Sequence, residues 1–341
     1  MKYLSIIRTT VHTKYLFFLR YFKYKISGVN NQDSINFYLS KNESPSLEVS
    51  VKVGCGLFCT YCPQSNYIES FKNRYAKDYK VLSKMVFQSA MKNVDTNTLI
   101  KWTGFTEPLD SKNFPFFCEY LKNNSYRQSI STTLKGTTKS VRWFVDNIAL
   151  FSAVTLHLPD SDGLMKCKVD GEYINNLYKV LEVRKNKNLD VFLIGKSFQS
   201  DVLKVIENCI RDGILNKKNI IYAKVLNTRN LSIDAESTGL TNIQFRDKIS
   251  DTKKQKKDSY YCAYRRLNQG VLLPNGRVTL CCQDYKLEYI LGDLKNEKLD
   301  DLYNKIQTSE IDSNLFLSGD FYPCTKCEHY RTIDNSFTGH L

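Results

Sequence analysis

The sequence predicts an α/β fold of parallel strands alternating with helices, followed by a small α+β segment organised around cysteines. Three observations carry this. Between Leu47 and Thr228, short β-rich runs alternate with longer helical stretches, the pattern of βαβ units. The stretch Val271 to Tyr285, VLLPNGRVTLCCQDY, reads instead as an antiparallel hairpin turning at Pro274-Asn275-Gly276. The cysteines fall in local groups, with a C-x3-C-x2-C triad near the start and a C-x2-C pair near the end.

With 341 residues the chain suits one large domain and a small one, and 42% apolar with 13% aromatic residues is a globular composition. Eleven cysteines would suit a secreted disulfide scaffold, but their local spacing and the chain length point to ligation instead. No stretch approaches the roughly 20 apolar residues of a membrane span. The N-terminal residues are charged early and lack an apolar core with a small-residue cleavage site, so the expectation is a cytoplasmic protein without a secretory leader. The net charge of +14 favours polyanions or describes a lysine-rich solvated surface. Nucleic acid is therefore a possible partner, and the lysine run Thr252 to Asp258 is its local candidate.

Residues 1–46 form an N-terminal extension, with a basic, aromatic helix expected around Tyr15 to Phe22. Strands are predicted over 47–53, 98–104, 128–134, 153–159, 190–195 and 219–226, and helices over 81–93, 111–123, 137–147, 171–187 and 199–212. Residues 229–260 lose periodicity and read as a linker. Residues 261–335 follow as a small domain.

The cysteine triad lies directly after the first strand, in VKVGCGLFCTYCPQSN, where Gly54 and Gly56 loosen the backbone into a loop. Three thiolates, Cys55, Cys59 and Cys62, are one fewer than a structural zinc takes. On a [4Fe–4S] cluster they leave one iron open to an external ligand. The second strand runs into Lys101-Trp102-Thr103-Gly104-Phe105-Thr106-Glu107-Pro108, and the third ends in the hydroxyl-rich Ser129 to Leu134. After the fourth strand, His157 and Asp160 are candidates for acid or base work on a substrate, with a structural histidine the alternative. Cys167, on a polar loop, is a candidate relay or simply a free thiol, whereas Cys118 and Cys209 fall on helices and are expected in the core. The late cysteines Cys262, Cys281, Cys324 and Cys327 suit a zinc ribbon or a cluster, with Cys282 the rival of Cys281.

The triad, with Tyr61 directly before its third cysteine, resembles the radical S-adenosylmethionine (SAM) superfamily. The resemblance implies an open partial (β/α)6 barrel. It also implies SAM on the open iron, a 5′-deoxyadenosyl radical, and hydrogen abstraction from a substrate. Tyr61 would lie against the adenine. The Phe105-Thr106-Glu107-Pro108 turn resembles the family's Gly-Gly-Glu-Pro, so Glu107 would hold the SAM amino group, with Thr106 standing where a glycine is common. Thr132 would contact the SAM carboxylate or ribose. The C-terminal pattern, Cys262, Gly276 and Cys281, resembles SPASM and twitch domains. It implies one auxiliary [4Fe–4S] cluster on Cys262, Cys281, Cys324 and Cys327. The resemblance further implies a reducing partner such as flavodoxin or ferredoxin and a small-molecule or peptide substrate. The reaction expected is a two-electron oxidation of a sugar or glycan-pathway intermediate, with a peptide or RNA base as alternative. A metal-binding nucleic-acid module without catalysis is the alternative of another class.

Overall fold

The computed structural model describes residues 45–185, 187–223, 225–226, 244–245, 259–262, 269–307 and 330–333. The chain divides into two compact units, Met1–Glu43 and Ser44–Leu341, and every described residue belongs to the second. The helix expected around Tyr15 to Phe22, the lysine run, most of the linker, Cys324 and Cys327 lie outside the described residues.

Six strands, β1 (Ser46–Val49), β2 (Leu99–Trp102), β3 (Gln128–Thr132), β4 (Phe151–His157), β5 (Leu189–Ile194) and β6 (Ile220–Ala223), pair in parallel and in sequence order. This is the predicted mixed α/β architecture with a parallel sheet. Each crossover carries a helix: α1 (Gln64–Tyr75) and α2 (Lys84–Met91), then α3 (Phe114–Asn123), α4 (Thr138–Asp146), α5 (Gly171–Arg184) and α6 (Ser200–Arg211). The starts of α2, α4 and α5 follow from local chemistry, since Ser83, Thr137 and Asp170 each accept a backbone N–H of the first turn. Helix α1 is missing from the sequence reading. It starts after Pro63 without a side-chain cap, directly behind the cysteine triad, and buries Gln64, Tyr67 and Phe71.

The predicted strand over 219–226 is two pieces: β6, and β7 (Val225–Leu226), which pairs in parallel with β8 (Gln244–Phe245). Overlapping the end of the expected linker, β9 (Ser259–Cys262) pairs antiparallel with β13 (Tyr330–Ile333). The expected hairpin is present as β10 (Val271–Leu272) and β11 (Arg277–Thr279), joined antiparallel and followed by β12 (Ile290–Asp293). Its turn needs Gly276, whose φ of +94° is a region that side chains avoid. Strand β10 lies parallel to β1, so one nine-stranded sheet runs β12-β11-β10-β1-β2-β3-β4-β5-β6. The last described helix is α7 (Leu299–Gln307).

The core is aromatic under β2 and β3. Trp102 and Phe117 stack with ring centroids 6.1 Å apart, Phe87 tilts against Phe117 at 4.6 Å, and Trp102 donates its indole N–H to Gln128 Oε1 at 2.9 Å. Cys118 and Cys209 are buried as expected. A second cluster joins α1 to the C-terminal strands: Tyr67, Phe71 and Phe105 pack with Val271, Leu273, Cys282, Tyr285 and Leu287.

Candidate active site

In a parallel sheet all carboxyl ends lie on one edge, so the loops after β1 to β4 meet there. The cysteine triad and the Glu107 turn lie in the loops after β1 and β2, while the hydroxyl run and His157–Asp160 span the ends of β3 and β4.

The turn after β2 depends on Gly104. Its φ is +36°, and a side-chain carbon there would stand 2.5 Å from the Val49 carbonyl oxygen. That close approach lets the Phe105 amide donate to Ser50 Oγ at 2.9 Å, fastening the turn beneath the cysteine loop. Lys52 pairs with Asp110 at 2.7 Å, and Asp110 also accepts the Gly56 amide at 3.4 Å, so the loop is held at its base. Its far end is held by the Thr60 amide donating to the Leu164 carbonyl at 2.9 Å.

Cys55, Cys59 and Cys62 are half-buried thiols outside any disulfide. Burial pushes Cys59 up to about 12, and the neighbouring Cys62 and Cys55 add to this. Burial likewise pushes Cys55 up to about 11, opposed by hydrogen bonds from the Leu57 and Glu107 backbone. A bound metal centre therefore displaces protons here. Tyr61 hydrogen-bonds Cys59, and burial raises its phenol well above the usual range, with Cys59, Cys62 and Asp160 contributing. Gln64 donates to Cys62 Sγ at 3.7 Å and to the Phe105 carbonyl. Among the described residues, no group of three His, Cys, Asp or Glu side chains is gathered tightly enough for a single metal ion.

Glu107 is buried, and its carboxylate accepts four donors. These are Thr132 Oγ1 at 2.5 Å, Leu109 N at 3.2 Å, and Thr133 N and Oγ1 both at 2.8 Å. Burial nevertheless pushes its carboxyl up to about 7. A carboxylate has about four acceptor positions, so an incoming ammonium must replace one of the two rotatable hydroxyls. Beside it, Thr106 Oγ1 is buried without a hydrogen-bond partner, a polar group turned toward no protein atom that could satisfy it. Three half-buried thiols, one of them hydrogen-bonded to the Glu107 backbone, are a donor set that fits a cluster with a polar ligand.

Asp160 is buried and spent on backbone. It accepts the Leu164 and Met165 amides, both at 2.9 Å, which folds loop 160–165 against the cysteine loop. His157 is half-buried and stacks on Phe192 with centroids 4.9 Å apart. Cys167 is half-buried, and burial pushes its thiol up to about 11, opposed by Lys135.

The C-terminal segment reaches this site through Tyr285. Its ring lies 4.5 Å from that of Phe105, and its hydroxyl 4.0 Å from Cys62 Sγ. Cys282 is buried in the cluster around Tyr67 and Phe71, while Cys281 is half-buried. The Cys262 backbone pairs with Tyr330.

Sequence reasoning missed Gln64, Thr133, Asp110 and Tyr285. Gln64 and Thr133 were within reach, standing two residues from Cys62 and one from Thr132. Tyr285 carried no sequence signal, being 223 residues from Cys62.

No curated protein matches the sequence. Among solved structures, the chain is similar to BtrN in complex with AdoMet and 2-DOIA, at 14% identity and TM-score 0.43, covering 86% of this chain and 95% of that one. It is also similar to native anSMEcpe with bound AdoMet, at 16% identity and TM-score 0.42, covering 83% of this chain and 86% of that one. The Streptococcus suis SuiB structure aligns over 87% of this chain and 73% of its own, at 13% identity and TM-score 0.46. Residues 262–329 match SPASM, an iron–sulfur cluster-binding domain.

Proposed function

We propose that the chain is a radical SAM enzyme whose SAM-binding [4Fe–4S] cluster is held by Cys55, Cys59 and Cys62. The observation that carries this reading is the meeting of the triad and the Glu107–Thr132 pair at one sheet edge, with the Glu107 amide hydrogen-bonded to Cys55. When bound, cluster and SAM supply a 5′-deoxyadenosyl radical that abstracts hydrogen from a substrate. Glu107 takes the SAM amino group, Thr132 or Thr133 giving up its hydrogen bond to make room. Thr106 offers its unpartnered hydroxyl to the same ligand. Tyr61 lies against the adenine. Asp160 keeps loop 160–165 seated on the cysteine loop and is not free for proton transfer while it accepts two amides.

Cys262, Cys281, Cys324 and Cys327 hold the auxiliary cluster. The β9–β13 register supports this set, since Cys262 stands opposite Tyr330, three residues beyond Cys327 in sequence. Four protein thiolates leave no open iron, so the second cluster suits removal of an electron rather than substrate binding. The net reaction proposed is two-electron oxidation of a sugar alcohol carbon in a cytoplasmic small-molecule pathway, with peptide oxidation the second reading.

Protein reconstituted anaerobically with iron and sulfide is expected to hold about eight irons, and about four when Cys55, Cys59 and Cys62 are all Ala. With dithionite and SAM it is expected to release 5′-deoxyadenosine. Unchanged iron in the triple variant, or zinc in place of iron, overturns the reading.

A further inference from the structure

The chain between Lys72 and Met85 carries no role in the site described above, yet it is physically attached to it. The Val53 amide donates to the Lys80 carbonyl at 2.7 Å, and Leu82 N donates to the Val51 carbonyl at 2.9 Å. Residues 80–82 thus run antiparallel beside the strand end that leads, two residues on, into Cys55. From helix α1, Ile68 reaches the backbone of the same loop. Its Cδ1 lies 3.4 Å from where a Gly54 side chain would begin.

This segment is exposed in a way a solvated lysine surface is not. Tyr79 is 73% exposed, Met85 74% and Val81 51%, three large apolar groups within seven residues. Exposed apolar groups gathered beside a site are characteristic of contact surfaces. Between and beside them stand Lys77, Lys80 and Lys84, all exposed, with Lys72 and Arg74 just before. The only acid from 72 to 85 is Asp78, and it is neutralised by Arg277 at 2.9 Å. Along this segment exposed apolar side chains therefore alternate with exposed lysines.

We infer that this patch docks an acidic protein that carries single electrons, delivering them to the adjacent cysteine loop. The partner's chemistry follows from the surface: carboxylates meet Lys77, Lys80 and Lys84, and an apolar group covers Tyr79, Val81 and Met85. Val81 and Met85 offer nothing to a phosphate backbone, which disfavours nucleic acid. Residues 1–43 hold seven lysines and arginines against two acids, so charge also opposes this chain's own N-terminal unit as the occupant. The electron-carrying character rests on the proposed function. The carrier is oxidised by one electron and the cluster held by Cys55, Cys59 and Cys62 is reduced by one, with no proton or bond exchanged.

The test uses full-length protein and flavodoxin as the acidic carrier, with binding read directly by FMN fluorescence. Wild type is expected to bind with an affinity that weakens steeply with salt. The variant Lys77→Glu/Lys80→Glu/Lys84→Glu is expected to lose about tenfold or more in affinity, and Tyr79→Ser/Met85→Ser several-fold at unchanged salt dependence. In the same variants, 5′-deoxyadenosine release should fall when flavodoxin is the reductant and stay constant with dithionite. Unchanged flavodoxin affinity in both variants overturns the inference. So does oligo(U) RNA, or a second copy of the chain, being lost from the charge-reversed variant while flavodoxin is not. If dithionite yields no 5′-deoxyadenosine in any variant, the proposed function falls, and the binding measurement still decides the surface.

Discussion

Thr132 donates its hydroxyl to Glu107 across 2.5 Å, tying the end of β3 to the turn after β2. The two residues implied as separate SAM contacts are thus one hydrogen-bonded unit before any ligand arrives. Thr132→Val removes a donor from a buried carboxylate and is expected to cost about 1–3 kcal/mol of stability. Glu107→Ala strands the Thr133 and Leu109 donors as well and removes a charge-assisted partner worth roughly 1.5–3 kcal/mol, so SAM binding should weaken by about ten- to a hundredfold. Calorimetric titration with SAM checks this, and an unchanged dissociation constant would place Glu107 outside the ligand.

Gly104→Ala tests the close approach of β1 and β2. A methyl carbon there meets the Val49 carbonyl at 2.5 Å, and the neighbour is backbone, which cannot swing aside. The expected loss is on the order of 3 kcal/mol in denaturant unfolding. The turn bearing Thr106 and Glu107 must shift with it, so SAM affinity should drop in the fraction that folds. Gly163→Ala, where nothing lies within 4 Å, is the control for strain alone, since its φ is also positive.

Asp160 separates a structural carboxylate from a catalytic one. Asp160→Ala leaves the Leu164 and Met165 amides without acceptors and should cost about 1–3 kcal/mol. Because Leu164 accepts from Thr60, the electron paramagnetic resonance lineshape of the reduced cluster proposed on Cys55, Cys59 and Cys62 should change too. Asp160→Asn keeps one acceptor oxygen but sets its NH2 against the second amide, so it is expected to restore only part of the stability and the lineshape. A wild-type spectrum with a slow chemical step in Asp160→Asn would instead argue for proton transfer.

The two adjacent cysteines predict opposite outcomes. Cys282 packs among Tyr67, Phe71 and Tyr285, so Cys282→Ala should cost about 1 kcal/mol by leaving a small cavity and keep all the iron. Cys281→Ala and Cys324→Ala should each lose about four irons, leaving the SAM-cleaving cluster in place. These variants should still release 5′-deoxyadenosine and form little oxidised product. Iron lost from Cys282→Ala and retained in Cys281→Ala reverses the ligand choice.

The sequence by itself determined what depends on near neighbours. Alternation at period 2 and the helical period place all six parallel strands and five of the crossover helices to within a few residues, because both periods are properties of the local backbone. The same holds for the triad, whose spacing lies within one loop, and for the hairpin, where Gly276 supplies a φ that only the turn requires. Tertiary structure decided everything that joins distant segments. Period 2 cannot say which of Thr132 and Thr133 faces Glu107, and both do, because β3 ends there and its backbone turns at Leu134, at φ +58°. Asp160 looked like an acid at a barrel mouth until the amides of Leu164 and Met165 claimed both its oxygens. Above all, β10 pairs with β1 across more than 200 residues, which seats Tyr285 between Phe105 and Cys62. Strand pairing at that separation is selected by the burial of two apolar surfaces against each other, a quantity that no local pattern in either segment contains.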